Sequence, residues 1–521
     1  MARFFNTTGP CDPDHHYMLA PERRLDDLGT LVARQQYFVL HAPRQLGKTT
    51  AMRALTARLR GQGYVALTAS LETAQGVEAV GDAERLWIEA VAFAAEFELP
   101  EPHRPPPFDA VARHAPGARF VQWLRLWCVA VQLPVVLVLD EADVVRGPPL
   151  ISLLRQLRAG FPHRGPGRFP TSVALVGMRD LRDYLVHAKD GAAVNPGSPF
   201  NIKSASLTLR SFHADEVREL LLQHTRETGQ PWSDAALQRV WDRTQGQPFL
   251  VNALADRAVT RLAVDRAVPV DVDAIDAAEQ QLILSRTTHL DNLSERLKEP
   301  RVAQVVQAVL LGDELGAIDR LTDDFVYVQD LGLVRQGSAG LEISNPIYRE
   351  VLVRELSRNH QEDLPAPWWP WRTPAGRLDV PALIDAFFAW WRESADVLWH
   401  DPRTLYLEAA AHLAFMGFLQ RVVNGGGRVE REYAAARGRV DVVVTFAGAR
   451  HVFELKRVGP RASLDAVVRD GVEQLAGYLD TLGLREGWLL VFEPREQVPW
   501  DQKLWARDVE RDGKQLHLRG G

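Results

Sequence analysis

Residues 37–50 read Tyr-Phe-Val-Leu-His-Ala-Pro-Arg-Gln-Leu-Gly-Lys-Thr-Thr. The apolar run Tyr37-Phe38-Val39-Leu40 has the character of a buried strand. A short loop follows, and Lys48-Thr49-Thr50 opens a helix. Strand, loop and helix start in this order make a phosphate-binding loop. Its backbone amides cradle phosphates, Lys48 reaches the β- and γ-phosphates, and the Thr49 hydroxyl holds Mg²⁺. Ala42, Pro43, Arg44, Gln45, Leu46, Gly47, Lys48, Thr49 and Thr50 are therefore the candidate binding residues for a nucleoside triphosphate, ATP, with Mg²⁺. The first glycine of the usual pattern is Ala42 here, and its methyl group requires an ordinary negative φ in the turn.

A second stretch completes this reading. Val135 to Leu139, after Pro134, is wholly apolar and ends in Asp140-Glu141. Such a run fits a central strand of a parallel sheet. Acids at its carboxyl end face the crevice where ligands bind. Asp140 fits the metal-linked carboxylate, and Glu141 fits the base that polarises the attacking water. Apolar runs at 36–40, 64–70, 134–139 and 171–177 alternate with helical patterns, which predicts a doubly wound parallel sheet. Arg179, just past the last of these runs, stands where it can sense a γ-phosphate.

The 521 residues exceed what one core supports, so several domains are expected. A hydrophobic share of 46% with 25% charged residues is that of a soluble globular protein. Cys11 and Cys128 are the two cysteines, so no disulfide framework is implied and a reducing cytoplasm fits. The opening residues lack the apolar core of a secretion signal, and no run is long enough to span a membrane. The net charge of -6 argues against a generally basic nucleic-acid binder, so any DNA-binding face must be local. Cys11, His15 and His16 are too few convergent ligands for a metal site.

The α/β pattern runs over 1–205. Residues 206–284 read as a helical lid, with a Gly246-Gln247-Pro248 turn entering a helix. Residues 285–360 hold helices and a small hairpin drawn from Phe325–Val328, Leu331–Val334 and Leu341–Ile343, which together suggest a winged-helix module. Residues 361–375 are proline-rich and read as a linker. Their tryptophans, with Trp390, Trp391 and Trp399, suggest a docking surface. The last domain is 376–521.

That domain carries a second constellation. Gly438-Arg439-Val440-Asp441 opens one strand, and a turn at 447–450 leads into His451-Val452-Phe453-Glu454-Leu455-Lys456. Alternation puts Glu454 and Lys456 on one face, and the hairpin can bring Asp441 beside them. Two carboxylates and an ammonium on one face are costly to bury without function. The carboxylates can hold Mg²⁺ with a water set against a phosphodiester, which the lysine orients. Gln474 and Tyr478 share one face of a downstream helix, and the helix 405–423 carries Glu408.

These motifs resemble the PD-(D/E)XK nuclease superfamily, a restriction-endonuclease-like α/β fold. The resemblance implies that Asp441 and Glu454 are metal ligands, that Glu408 completes the metal shell, and that Lys456 orients the water. Gln474 and Tyr478 would support it, and Mn²⁺ can replace Mg²⁺. The pattern's name expects proline where Val440 stands. The whole chain is similar to prokaryotic AAA-like ATPases of the STAND type that carry a C-terminal nuclease-superfamily domain. Phe4–Thr7, Gly9–Cys11, His16–Leu19, His41–Gln45, Asn345–Tyr348 and Val423–Gly427 carry that likeness. It implies a switch that oligomerises or changes partner on binding ATP, with Pro248 approaching the base and Tyr17 stacking on adenine. It also implies action on DNA, in defence against foreign DNA. Two alternatives stay open. One is a regulator whose inactive nuclease-like domain binds nucleic acid or a partner, and the other is an ATP-dependent DNA translocase.

Overall fold

The computed structural model describes residues 3–25, 28–178, 203–285, 288–311, 323–337, 340–362, 373–400, 414–419, 427–435, 438–459, 462–495 and 497–521. They form two compact units. One comprises Met1–Ser285, Val326–Arg335 and Ser344–Pro346, and the other comprises Arg286–Phe325, Gln336–Ile343 and Ile347–Gly521.

The first unit is built on five strands, β1 (Tyr37–His41), β2 (Val65–Ser70), β3 (Val135–Asp140), β4 (Ser172–Gly177) and β5 (Lys203–Thr208), in the order β2-β3-β4-β1-β5. All neighbours are parallel. Each of β1, β3 and β4 alternates its apolar side chains between two cores, as a sheet covered on both faces requires. On one face Val39, Leu67, Leu137 and Leu175 pack under helices α3 (Val80–Glu98), α4 (Arg119–Val131) and α5 (Gly147–Gly160). On the other, Phe38, Leu40, Val138 and Val176 pack under α1 (Leu28–Ala33) and α2 (Lys48–Gly61). The inserted strand β4 separates the β1 loop from the Asp140 strand. The sheet also extends past 205. Residues 203–208 (Lys-Ser-Ala-Ser-Leu-Thr) form its fifth strand, at an edge where a polar sequence is tolerated.

The helices α6 (Ala214–Thr228), α7 (Asp234–Thr244), α8 (Pro248–Arg257) and α9 (Val272–Leu284) follow. Ser233 caps α7 by accepting from the Ala236 amide, and Pro248 takes the first position of α8, where it gives up no hydrogen bond. A bidentate Arg243–Glu279 pair joins α7 to α9. Gly246 (φ 73°) must be glycine, because a Cβ there would lie 2.1 Å from the Phe212 carbonyl oxygen.

Helices α10 (Thr288–Leu297), α11 (Pro300–Leu311) and α12 (Asp323–Asp330) come next, then the hairpin strands β6 (Val334–Gly337) and β7 (Gly340–Ile343), then α13 (Pro346–Glu362). Phe325–Val328 is thus helical and no part of the hairpin. Phe325, Tyr327 and Val328 are buried and Val326 is exposed, with Phe325 and Val328 one turn apart on the helix Asp323–Asp330.

The C-terminal sheet has the order β12-β13-β11-β10-β9-β8, with β8 (Gly427–Ala435), β9 (Gly438–Phe446), β10 (Ala449–Arg457), β11 (Glu486–Phe492), β12 (Trp505–Arg511) and β13 (Lys514–Gly520). The first three form an antiparallel meander, and β10, β11 and β13 run parallel. A two-residue turn, Ala447 (φ 47°) and Gly448 (φ 78°), closes β9 onto β10 with the handedness that suits strand twist. Above one face lies α15 (Leu464–Leu482), whose Val472, Leu475 and Leu479 join Val443, Val452 and Leu489. Ahead of the sheet in sequence, α14 (Val380–His400) supplies Phe387 and Trp391, which pack with Phe415 and Phe492. Trp390 and Trp391 are accordingly core and no docking surface, at 7% and 0% exposure. Trp368, Trp369 and Trp371 lie outside the described residues.

Candidate functional site

The loop after β1 curls because two residues are left-handed, Gln45 at φ 57° and Gly47 at φ 88°. Such a backbone brings successive N–H groups into one concavity, an anion nest at a helix N-terminus. Ala42 is not among the residues with positive φ. Its amide donates to the Gly177 carbonyl at 3.2 Å, which pins the loop's first residue to β4. Lys48 Nζ donates to the Ala42 and Pro43 carbonyls at 2.7 and 2.9 Å, so the ammonium is held within the loop. Burial lowers its pKa to about 8, with Asp140 and Asp143 pulling the other way.

Thr49 Oγ1 donates to Asp140 Oδ2 at 2.6 Å. The Asp140 side chain is buried at the end of β3. A hydroxyl and a carboxylate oxygen side by side are hard ligands that fit Mg²⁺. Glu141 is left-handed (φ 56°), and its amide donates to Asp140 Oδ1 at 2.9 Å. Its Oε2 accepts from Ser70 Oγ at 2.6 Å. Burial raises the Glu141 pKa, and the Ser70 hydrogen bond opposes that rise. Ser70, at the end of β2, was not singled out in the sequence. Its one signal is a hydroxyl ending an apolar strand that pairs with β3, in register with Asp140.

Thr50 Oγ1 accepts from the Cys11 amide at 3.0 Å, and Arg44 Nε lies 3.4 Å from Met178 Sδ. Leu46 is buried, and Arg44 and Gln45 are exposed. Pro248 is buried at the start of α8. Arg179 lies outside the described residues. Tyr17 is 1% exposed, with Phe5, His224 and Arg3 against its ring, so its faces are already covered and do not offer a stacking surface for adenine.

In the other unit, Glu454 is buried on β10 and Lys456 follows two residues on, with Nζ 3.5 Å from Glu454 Oε1. Lys456 Nζ donates to Gln474 Oε1 of α15 at 2.7 Å. It also lies 3.0 Å from Asp470 Oδ2, an acid missed in the sequence because it is an exposed residue one helical turn before Gln474. Gln474 Nε2 donates to both Asp470 oxygens, at 3.1 and 3.3 Å. Tyr478, one turn further, is half-buried against the sheet core. The register of β9 with β10, Val442 opposite Phe453, sets Asp441 opposite Glu454 when continued by one residue. The Asp441 side chain and all of Glu408 lie outside the described residues. Among the described residues no group of three or more His, Cys, Asp or Glu is arranged to hold a metal. Nor is any helix among them long and apolar enough to cross a membrane.

An AAA domain family model matches residues 32–185. Among curated proteins none matches the chain. Among solved structures, a Walker-type ATPase of Pyrococcus abyssi superposes with a TM-score of 0.48 at 14% identity, covering 67% of this chain and 99% of that one. The Thermotoga maritima RuvB Holliday junction branch migration motor does so with a TM-score of 0.35 at 16% identity, covering 62% and 90%. The family match falls on the sheet that carries the nest, Lys48, Thr49, Asp140 and Glu141, and residues 32–185 are an AAA-type P-loop ATPase domain.

Proposed function

We propose that the chain is an ATP-hydrolysing switch coupled to a Mg²⁺-dependent nuclease acting on DNA, with defence against foreign DNA as its setting. ATP binding orders residues 206–284 as a lid over the P-loop and promotes association of copies of the chain. Residues 285–360 serve as a winged-helix wedge, and residues 376–521 are the nuclease. In that domain Asp441, Glu454 and Glu408 hold Mg²⁺ or Mn²⁺, which supplies a polarised water. Lys456 orients that water and offsets phosphate charge, and Gln474 and Tyr478 support Lys456. The observation that carries this reading is the convergence of Glu454, Lys456 and Gln474 on the α15 face of the C-terminal sheet.

The test is the purified full chain with plasmid and single-stranded DNA, in Mg²⁺ and then Mn²⁺, with and without ATP. Metal-dependent cleavage that Glu454→Ala eliminates supports the reading. A second reading is favoured by one observation, that Lys456 is already engaged by Asp470 and Gln474. In it the domain is a catalytically inactive module that binds nucleic acid or a partner, and ATP drives regulation alone. Absence of cleavage under all those conditions, with ATP turnover intact, selects it. Steady ATP consumption stimulated by long DNA would instead mark a translocase.

A further inference from the structure

Arg24 is a cation in an unusual place. It ends a short 3₁₀ turn, Pro21–Arg24, and is 7% exposed. Its Nη1 donates to the Leu46 carbonyl at 2.8 Å and to the Arg210 carbonyl at 3.3 Å. Its Nη2 lies 3.0 Å from where a Cβ on Gly47 would stand. The guanidinium also sits over the Phe212 ring, 4.7 Å from its centroid. Burial lowers its pKa to about 10, with Glu216 opposing, so it stays charged at neutral pH.

The geometry of a peptide unit gives these contacts a consequence. A trans peptide points its C=O and its N–H in opposite directions. A donor that fixes the Leu46 carbonyl on one side therefore fixes the Gly47 N–H on the other. Gly47 is the N-cap of α2, and its N–H belongs to the nest that cradles phosphate. Because the guanidinium packs against the α-carbon of Gly47, a side chain there would crowd it. The second carbonyl belongs to Arg210, between β5 and α6. Two residues on, the Phe212 amide donates to the Gly246 carbonyl at 2.9 Å, in the turn that leads into Pro248.

We propose that Arg24 is a positioning residue of the phosphate loop. By holding the Leu46 carbonyl it aims the Gly47 amide at the nucleotide's β-phosphate, and by holding the Arg210 carbonyl it ties that amide to the helical segment beyond β5. The role acts through backbone, so no sequence motif marks it. It rests on the nucleotide reading of the loop.

The experiment is calorimetric titration of the full chain with ADP and with AMP, for wild type, Arg24→Met and Arg24→Lys, beside the melting temperature without nucleotide. Removing the donor lowers ADP affinity about tenfold, the loss of one charge-assisted hydrogen bond. AMP affinity stays at the wild-type value, since AMP has no β-phosphate. Arg24→Lys restores part of the ADP affinity, because one ammonium reaches one carbonyl where the fork reaches two. If Arg24→Met fails to fold, the same two titrations on Arg24→Lys decide, with an ADP-specific loss supporting the role. Unchanged ADP affinity in a folded variant overturns it. Equal losses for ADP and AMP with a lower melting temperature also overturn it, because they mark support of the fold alone. If the wild type binds no ADP, the nucleotide reading itself fails and takes this role with it.

Discussion

The Ser70 hydroxyl donates to Glu141 Oε2 at 2.6 Å, across two strand ends that pair Ser70 with Asp140. The residue assigned to activate water is thus held by a neighbouring strand, and its basicity is set by that contact and by burial. Glu141→Gln keeps the hydrogen bond from Ser70 and loses the base. We expect ATP binding unchanged and turnover lower by about a hundredfold or more. Ser70→Ala removes the contact that opposes the raised pKa, so the acid limb of the turnover profile moves to higher pH. Steady-state rates between pH 5 and 8 read both effects. An unmoved acid limb in the Ser70 variant would take the base role away from Glu141.

Lys48 is enclosed by its own loop, which depresses its pKa from 10.5 to about 8. The folded state therefore releases this proton earlier than the unfolded chain does. Between about pH 8 and 10.5 the unfolded chain binds more protons, so stability rises with pH across that window. Contributed above 10.5, this stability is lost as pH falls to 8. Lys48→Met should abolish ATP binding, flatten that pH dependence and raise the melting temperature of the nucleotide-free protein at pH 7. Calorimetry and thermal melts at pH 7 and 9.5 test this. Undiminished ATP affinity in the variant would refute the P-loop assignment.

At the second site, Asp441→Ala and Glu454→Ala should each eliminate metal-dependent DNA cleavage with DNA binding retained, and Lys456→Ala should reduce cleavage severely. Asp470→Asn frees one side of Lys456 while leaving Gln474 in place. Lys456 then loses one of the contacts that hold its ammonium in place, and cleavage should fall severalfold. Cleavage and binding measured side by side decide this. Wild-type cleavage by the Glu454 variant would put the active site elsewhere.

Glu84 is fully buried, and its carboxylate accepts from the amides of Gly117, Arg119 and Phe120, at the start of α4. These are amides a helix cannot satisfy itself, and the helix dipole favours the negative charge there. Glu84→Ala strands them in the core and should cost about 3 kcal/mol. Denaturant unfolding of the full chain measures it. A loss below about 1 kcal/mol would mean that water replaces the carboxylate.

The central strands β1, β3 and β4 were legible because each is a short apolar run, buried on both faces and too short for a helix, and β2, though at an edge, is apolar enough to be read the same way. β5 was not, because an edge strand needs no apolar sequence, and Lys203–Thr208 has little. The hairpin of β9 and β10 was legible from its alternation, although its turn is two residues, Ala447 and Gly448, where the sequence suggested four, and β10 starts at Ala449. Phe325–Val328 misled because four apolar residues fit strand and helix alike, and even their burial alternates over the first three, so only the backbone of Asp323–Asp330 separates the two. Around both candidate sites, motif spacing named Lys48, Thr49, Asp140, Glu454, Lys456 and Gln474. It could not name Ser70, Arg24 or Asp470. Each acts on a motif residue from another element, and only the folded chain makes such pairs neighbours.

Gly471 lies on α15 where a Cβ would stand 2.7 Å from a Leu489 methyl and 3.2 Å from Lys456 Cγ. The missing side chain makes helix and sheet mesh with no spacer between them, so the reach from Gln474 to Lys456 depends on a single methyl's thickness. Alanine at 471 works as a shim. It lifts the helix off the strand and parts the amide from the ammonium while every ionisable group of the site keeps its identity. A protein engineer thereby has a handle on the geometry of this cluster that leaves its chemistry alone.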